Sequence, residues 1–234
     1  MIIAISQPTF VPWLGYFDII KKSDIFVFLD NVKFEKRSWQ MRNKIKMSIN
    51  NKEEEEWIRI PTKSGSNAII KDVLIDNTQK WREEHLKKFS SYYGKDFEKN
   101  NFLNEIYEKK WEKLVDFNIE FIEKCCNYLG IKTKFRRASE LNSQGKKSEL
   151  LLNICLEMKS CQYLSTIGAK EYLDKDKEMF ESKNIEIIYH EYDHPKYKQK
   201  GKRFIEKLSI LDLIFNENVN SKNYFNSKSK NIVI

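Results

Sequence analysis

The densest switching between apolar and polar positions lies in residues 2–30. An apolar run (Ile2, Ile3, Ala4, Ile5) stops at Gln7 and Pro8, and Pro12 then opens a segment with Trp13, Tyr16, Phe17 and Ile20 at helical spacing. A second apolar run, Ile25 to Leu29, ends on Asp30. The pattern predicts strand, turn, helix and strand. Two buried parallel strands joined by a helix place Gln7, Trp13 and Asp30 near one sheet edge, where ligands bind in open α/β sheets. Pro8, Pro12 and Gly15 also suit a plain tight crossover, but the cluster of large aromatics with polar ends favours a pocket.

Beyond Asp30 the chain alternates like a half-buried strand over 41–49. Asn50-Asn51-Lys52 signals a turn, and Trp57 to Pro61 reads as a returning strand, which together predict a β-hairpin with a charged lip. Residues 63–67 (KSGSN) read as an ordinary connection, and Ile69 to Ile75 as a further short strand. Residues 78–94 form a helical pattern with Thr78 as cap and Gly94 as stop, and His85 lies beside its apolar stripe as a packed side chain. Phe102 to Gly130 is strongly amphipathic, one kinked helix or two in succession. From Ile131 the order is strand, helix, strand, helix, strand, which argues for parallel α/β construction in the second half as well. The helix after Gly145 begins at Ser148, where capping and anion binding compete. A proline-containing segment with His190, His194, Tyr197 and Gln199 has the character of a site-bearing loop. Phe204 to Phe215 reads as a last helix, and the chain from 219 to 234 as a polar tail behind one domain spanning 1–218.

Composition narrows the class. The 234 residues are 41% hydrophobic and 13% aromatic, enough for a full core. No apolar stretch approaches the roughly 20 residues of a membrane span, and the start lacks a charged leader region, so a cytoplasmic protein without a membrane span is expected. The four cysteines match no zinc or CxxC spacing, and His190 and His194 beside Pro195 lack a third ligand, so no metal site is expected. A net charge of +8 favours acidic partners. The excess is spread along lysine-rich helix faces and does not call for a specific nucleic-acid partner.

The stretches QPTFVPWLGYFDII, SDIFVFLDNVKFEKRSWQMRNKIK, KSELLLNIC, YLSTIGAKEYL, HPKYKQ and LSILDLIFN, taken in order, resemble the WbqC-like protein family of bacterial O-antigen and other surface-polysaccharide gene clusters. That resemblance implies a pathway enzyme acting on unusual amino sugars, with N-acylation or aminoacylation from a carrier protein as one role. The opening strand-turn-helix is also similar to that of nucleotidylyltransferases and other Rossmann-like HUP proteins, which implies a mostly parallel sheet with flanking helices, here with a β-hairpin insertion. Trp13-Leu14-Gly15-Tyr16 stands where those enzymes carry histidines, which argues against their chemistry.

The reading that follows is a transferase of lipopolysaccharide or other surface-polysaccharide biosynthesis. It places an acyl or aminoacyl group on the amine of a nucleotide-linked sugar. An acyl carrier protein is the candidate donor through its phosphopantetheine, and no tightly bound cofactor is expected. Asp30 or His194 would take the proton; Gln7 and Tyr16 would donate hydrogen bonds; Trp13 and Trp39 would stack on sugar or base; Arg37, Arg42 and Lys44 would hold phosphate; Ser148, Tyr197 and Gln199 would complete substrate binding. Such a site requires the deepest pocket to be lined by residues from both 7–44 and 190–212. The alternatives are a nucleotidylyl- or glycosyltransferase using the same crevice, and a non-catalytic carrier-binding scaffold.

Overall fold

The computed structural model describes all residues except 51, 64–66, 100, 226–230 and 234, so the centre of the KSGSN connection and Asn51 of the hairpin turn lie outside the described residues. The strands are β1 (Ile2–Ser6), β2 (Ile25–Phe28), β3 (Arg42–Ile49), β4 (Lys52–Arg59), β5 (Lys134–Arg137), β6 (Gln162–Thr166), β7 (Glu186–His190) and β8 (Asn231–Val233). The helices are α1 (Leu14–Lys21), α2 (Trp81–Tyr93), α3 (Lys95–Glu98), α4 (Asn101–Glu108), α5 (Leu114–Leu129), α6 (Ser148–Glu157), α7 (Lys170–Lys175), α8 (Lys177–Glu181) and α9 (Ile210–Glu217).

The main sheet runs β5-β2-β1-β6-β7-β8, and β3 and β4 form a separate two-stranded sheet. All pairings of the main sheet are parallel except β7 with β8. Counting only the parallel strands in chain order gives 3-2-1-4-5, so the direction of winding reverses between β1 and β6. The apolar run of β1 is buried on both faces because both faces are covered. Ala4, Phe26, Phe28, Leu164 and Ile188 pack on one side with α1, α5 and α9. Ile3, Ile5, Val27, Tyr163 and Ile187 pack on the other with α6 and with Leu173 and Phe180.

The amphipathic stretch 102–130 resolves into two helices, α4 and α5. Gly130, at φ 74°, ends α5 while Ile131 N–H reaches back to Cys126 O at 2.8 Å, the six-to-one closure of a left-handed stop. Three expectations need correction. Ile69 to Ile75 is a 3-10 turn (Ile70–Asp72) with isolated bridges on either side, since its backbone bonds go to Asp30 and Val32 rather than to one neighbouring strand. The helix of 78–94 begins at Trp81, because the Thr78 hydroxyl donates to Asp76 and does not cap. The last helix begins at Ile210, where the Ser209 side chain accepts the Leu211 N–H. Residues ahead of it are held by a reciprocal pair of bonds between Gln199 and Ile205. Beyond α9, residues Asn218–Phe225 wind into 3-10 turns that bury Ser221 and Phe225.

Candidate functional site

The end of β1 meets the loop between β2 and β3. Gln40 Nε2 donates to Gln7 Oε1 at 2.8 Å, Gln40 Oε1 accepts the Glu35 N–H at 3.1 Å, and Phe10 N–H donates to Trp39 O at 2.8 Å. The Tyr16 hydroxyl donates to Gln7 O at 2.9 Å, and burial pushes its pKa far up, so it stays a neutral donor. Gln7 and Tyr16 thus fix the loop that carries Arg37 and Trp39. Asp30 lies on the other flank, fully buried. Its carboxylate accepts from Arg137 Nε, Ser139 N–H and Ser139 Oγ, each at 2.8 Å, and Arg137 continues to Asp116 at 2.9 Å. These bonds join the loop after β2 to the end of β5 and the turn that follows it.

The hairpin supplies the open surface. Its register sets Arg42 opposite Arg59 and Lys44 opposite Trp57. Directly opposed residues share one face of a two-stranded sheet, so all four project together. Trp57 and Trp39 are 39% and 51% exposed with ring centroids 5.5 Å apart. Arg42 Cζ lies 4.3 Å from the Trp57 ring centroid and Lys44 Nζ 5.2 Å, with Lys44 also paired to Glu55. A hollow of about 220 Å³ beside them is lined by Lys36, Arg37, Met41, Arg59, Thr62 and Gln79. Among the described residues no carboxylate pairs with Lys36, Arg37, Arg42 or Arg59. Like charges directly opposed are destabilising. The chemistry that relieves this face is an anion, and the flat rings offer stacking to a base or sugar beside it.

Trp13 ties this surface to the segment after β7. It sits just ahead of α1, bridged to Ser209, while Ser209 N–H donates to Lys44 O at 2.9 Å and Ile210 N–H to Pro12 O at 2.7 Å. Its indole meets Tyr192 edge-on at 5.3 Å and stacks on His194 at 6.4 Å. His194 Nδ1 lies 3.0 Å from Pro195 O, a contact that requires the proton on Nδ1 and leaves Nε2 with a bare lone pair. Burial lowers the His194 pKa, so the ring is neutral at pH 7. Tyr197 and Gln199 turn inward instead. Tyr197 and Tyr93 each donate to Asp212 at 2.7 Å, and Gln199 Nε2 donates to the Tyr197 hydroxyl at 3.1 Å.

Gly15 is glycine because a Cβ there would lie 2.4 Å from the Trp13 ring. Gly15→Ala is therefore expected to displace the indole from His194 and change the near-ultraviolet circular dichroism while the far-ultraviolet signal persists. An unaltered near-ultraviolet spectrum would show that the ring does not rest there.

The structure brings Arg37, Trp39, Arg42 and Lys44 onto one surface, sets Gln7 and Tyr16 beneath it, and joins Trp13 and His194 to its Lys44 end. Ser148 begins α6 on the opposite face of the sheet, buried, with no capping bond and no partner for its hydroxyl among the described residues. The platform hollow draws on 36–79 and not on 190–212, and a hollow of about 490 Å³ opens at the far edge of the sheet around Asp24, Lys132 and Thr133. Neither hollow is lined by both 7–44 and 190–212, as the expected site requires; those stretches meet instead by packing, Trp13 against Tyr192 and His194. Trp57 and Arg59 belong to the surface, and the buried Gln40 holds the loop beneath it, although their segments read only as strand and loop. The first two were recoverable by counting back across the turn at 50–52 from Lys44 and Arg42.

The sequence model of the WbqC-like protein family matches residues 7–224. The chain is similar to the uncharacterized protein Rv1507c of Mycobacterium tuberculosis, 31% identical over 229 residues that cover 95% of this chain and 96% of that one. No solved structure matches.

Proposed function

The chain belongs to the WbqC-like protein family, and on that premise we propose that it is a cytoplasmic transferase of surface-polysaccharide biosynthesis. It moves an acyl or aminoacyl group from the phosphopantetheine thioester of a carrier protein to the amine of a nucleotide-linked sugar. The observation that carries the reading is the open platform of Trp39, Trp57, Arg42 and Arg59. Its stacked rings suit a base or sugar, and its unpaired guanidinium groups suit a diphosphate. We read the sheet as Rossmann-like in the manner of HUP proteins, with the platform built on its hairpin insertion. Trp13 and Tyr16 in place of histidines leave nucleotidylyl transfer without its polarising groups. Asp30 serves as a structural ion pair, and His194 presents a neutral acceptor at the Lys44 end. In the described residues no helix is long and apolar enough to cross a membrane.

Incubation with acylated carrier protein and a panel of nucleotide-linked amino sugars is expected to add the acyl mass to the sugar. No mass gain with any pair counts against transfer. Carrier binding without turnover, unaffected by His194→Ala, would favour the scaffold reading, which the shallow, open form of the platform also suits.

A further inference from the structure

Asp18 and His190 stand 172 residues apart in sequence and pair at 2.6 Å, Nε2 to Oδ2, with only 4% of either side chain exposed. His190 ends β7 beside Thr166 of β6, and Asp18 projects from α1, which spans the same face. Asp18 also meets Lys22 at 3.2 Å. Engaging Nε2 with a carboxylate leaves Nδ1 to handle a proton, the arrangement by which a buried aspartate orients a basic imidazole. The His190 ring stacks on Tyr192 at 6.0 Å, and Tyr192 meets both Trp13 and His194, at 5.3 and 6.1 Å. Two polar atoms of this cluster, Tyr192 Oη and His194 Nε2, are buried and have no partner among the described residues. Buried polar atoms are nearly always satisfied, so two orphans against one indole leave hydrogen bonds open for a bound polar group to fill.

We infer that this cluster is the acceptor site of the proposed transfer: it binds the primary amine of the sugar at His194 Nε2, beside Tyr192 Oη, and His190 takes its proton. The inference rests on the transferase reading. His194 Nε2 accepts one hydrogen of the amine while the Tyr192 hydroxyl donates to the oxygen of the thioester carbonyl, so the nitrogen lone pair stays free to attack and its second hydrogen is left for His190. As the nitrogen attacks the thioester carbonyl, the new C–N bond forms and the C–S bond breaks, the sulfur leaving with the electron pair. His190 Nδ1 accepts the proton that the nitrogen sheds and passes it to that sulfur, so the products are amide, thiol and unchanged imidazole. His190 is then a catalytic residue and Asp18 a positioning residue.

The chain has three histidines, so nitrogen-15 imidazole spectra resolve the question directly. UDP-glucosamine and UDP-glucose differ in a single amine-for-hydroxyl exchange. The amine-bearing probe is expected to shift His190 and His194 and to leave the core residue His85 unmoved; UDP-glucose should quench tryptophan fluorescence without those shifts. Saturable quenching by UDP-glucosamine with both histidines unmoved overturns the acceptor site and leaves the platform standing. Absence of quenching overturns both. In the transfer reaction His190→Gln is expected to lower kcat by roughly 10²–10⁴-fold, the usual contribution of a general base. Asp18→Asn should lower kcat with little change in KM for the sugar. Variants that still bind UDP-glucosamine and keep full kcat would refute the assignment.

Discussion

Replacing Lys46 with methionine is expected to cost roughly 1–3 kcal/mol of folding stability for each of the two backbone carbonyls it leaves without a donor. Lys46 shares the hairpin face of Arg42 and Lys44, yet its side chain is fully buried, because the turn at 200–203 closes over it. Its ammonium donates to Lys200 O at 2.7 Å and to Arg203 O, and lies 3.5 Å from Glu53. Glu53 in turn accepts the N–H groups of Lys202 and Arg203. Gly201, at φ 90°, has no room for a Cβ against Glu53. Methionine keeps the stem and removes the donors, so the carbonyls lose their bonds and the turn loses its clamp.

The loss should also depend on pH. Burial is the main cause raising the Asp212 pKa above its ordinary 3.8, and Lys46 is among the groups that oppose the rise. A carboxyl with a raised folded pKa binds more protons folded than unfolded, so stability falls as pH rises from the unfolded value to the folded one. Without Lys46 the folded value climbs further and the interval widens. The deficit measured by urea unfolding should therefore be larger near pH 7 than near pH 4. Equal deficits at both would separate Lys46 from Asp212.

The hydrophobic pattern reveals the sheet because it is a local property. The runs at 2–5, 25–29 and 185–189 are continuous where both faces of a strand are covered, and each became a parallel strand. The platform was half legible, since Arg42 and Lys44 alternate with buried neighbours; Trp57 and Arg59 required the hairpin register. The network around Lys46 was not legible. A lysine on a charged hairpin face reads as solvated, and its burial depends on a turn more than 150 residues later. Asp18 with His190 was hidden for the same reason, as was the inward direction of Tyr197 and Gln199, which Asp212 fixes. Ile69 to Ile75 misled because its backbone makes three isolated bridges to three different segments and not one ladder.

Trp57→Ala is expected to weaken binding of UDP-glucosamine by about 1–3 kcal/mol, roughly 5- to 150-fold, the range found when an aromatic platform under a base is removed. The residue is a favourable target because it bears little of the fold. It is 39% exposed, faces outward on a two-stranded sheet, and its main contacts are Trp39, Arg42 and Lys44. Its loss removes a stacking surface and also frees Arg42, whose guanidinium is held 4.3 Å from the ring centroid and directly opposite Arg59. Trp57→Phe keeps a flat ring and should recover most of the affinity, whereas Arg42→Gln should leave stacking and reduce the salt dependence, since it removes one cation from the phosphate contact. Calorimetric titration at two salt concentrations separates the contributions. Affinity unchanged in Trp57→Ala, with salt dependence unchanged in Arg42→Gln, would place the nucleotide elsewhere and remove the observation on which the transferase reading depends.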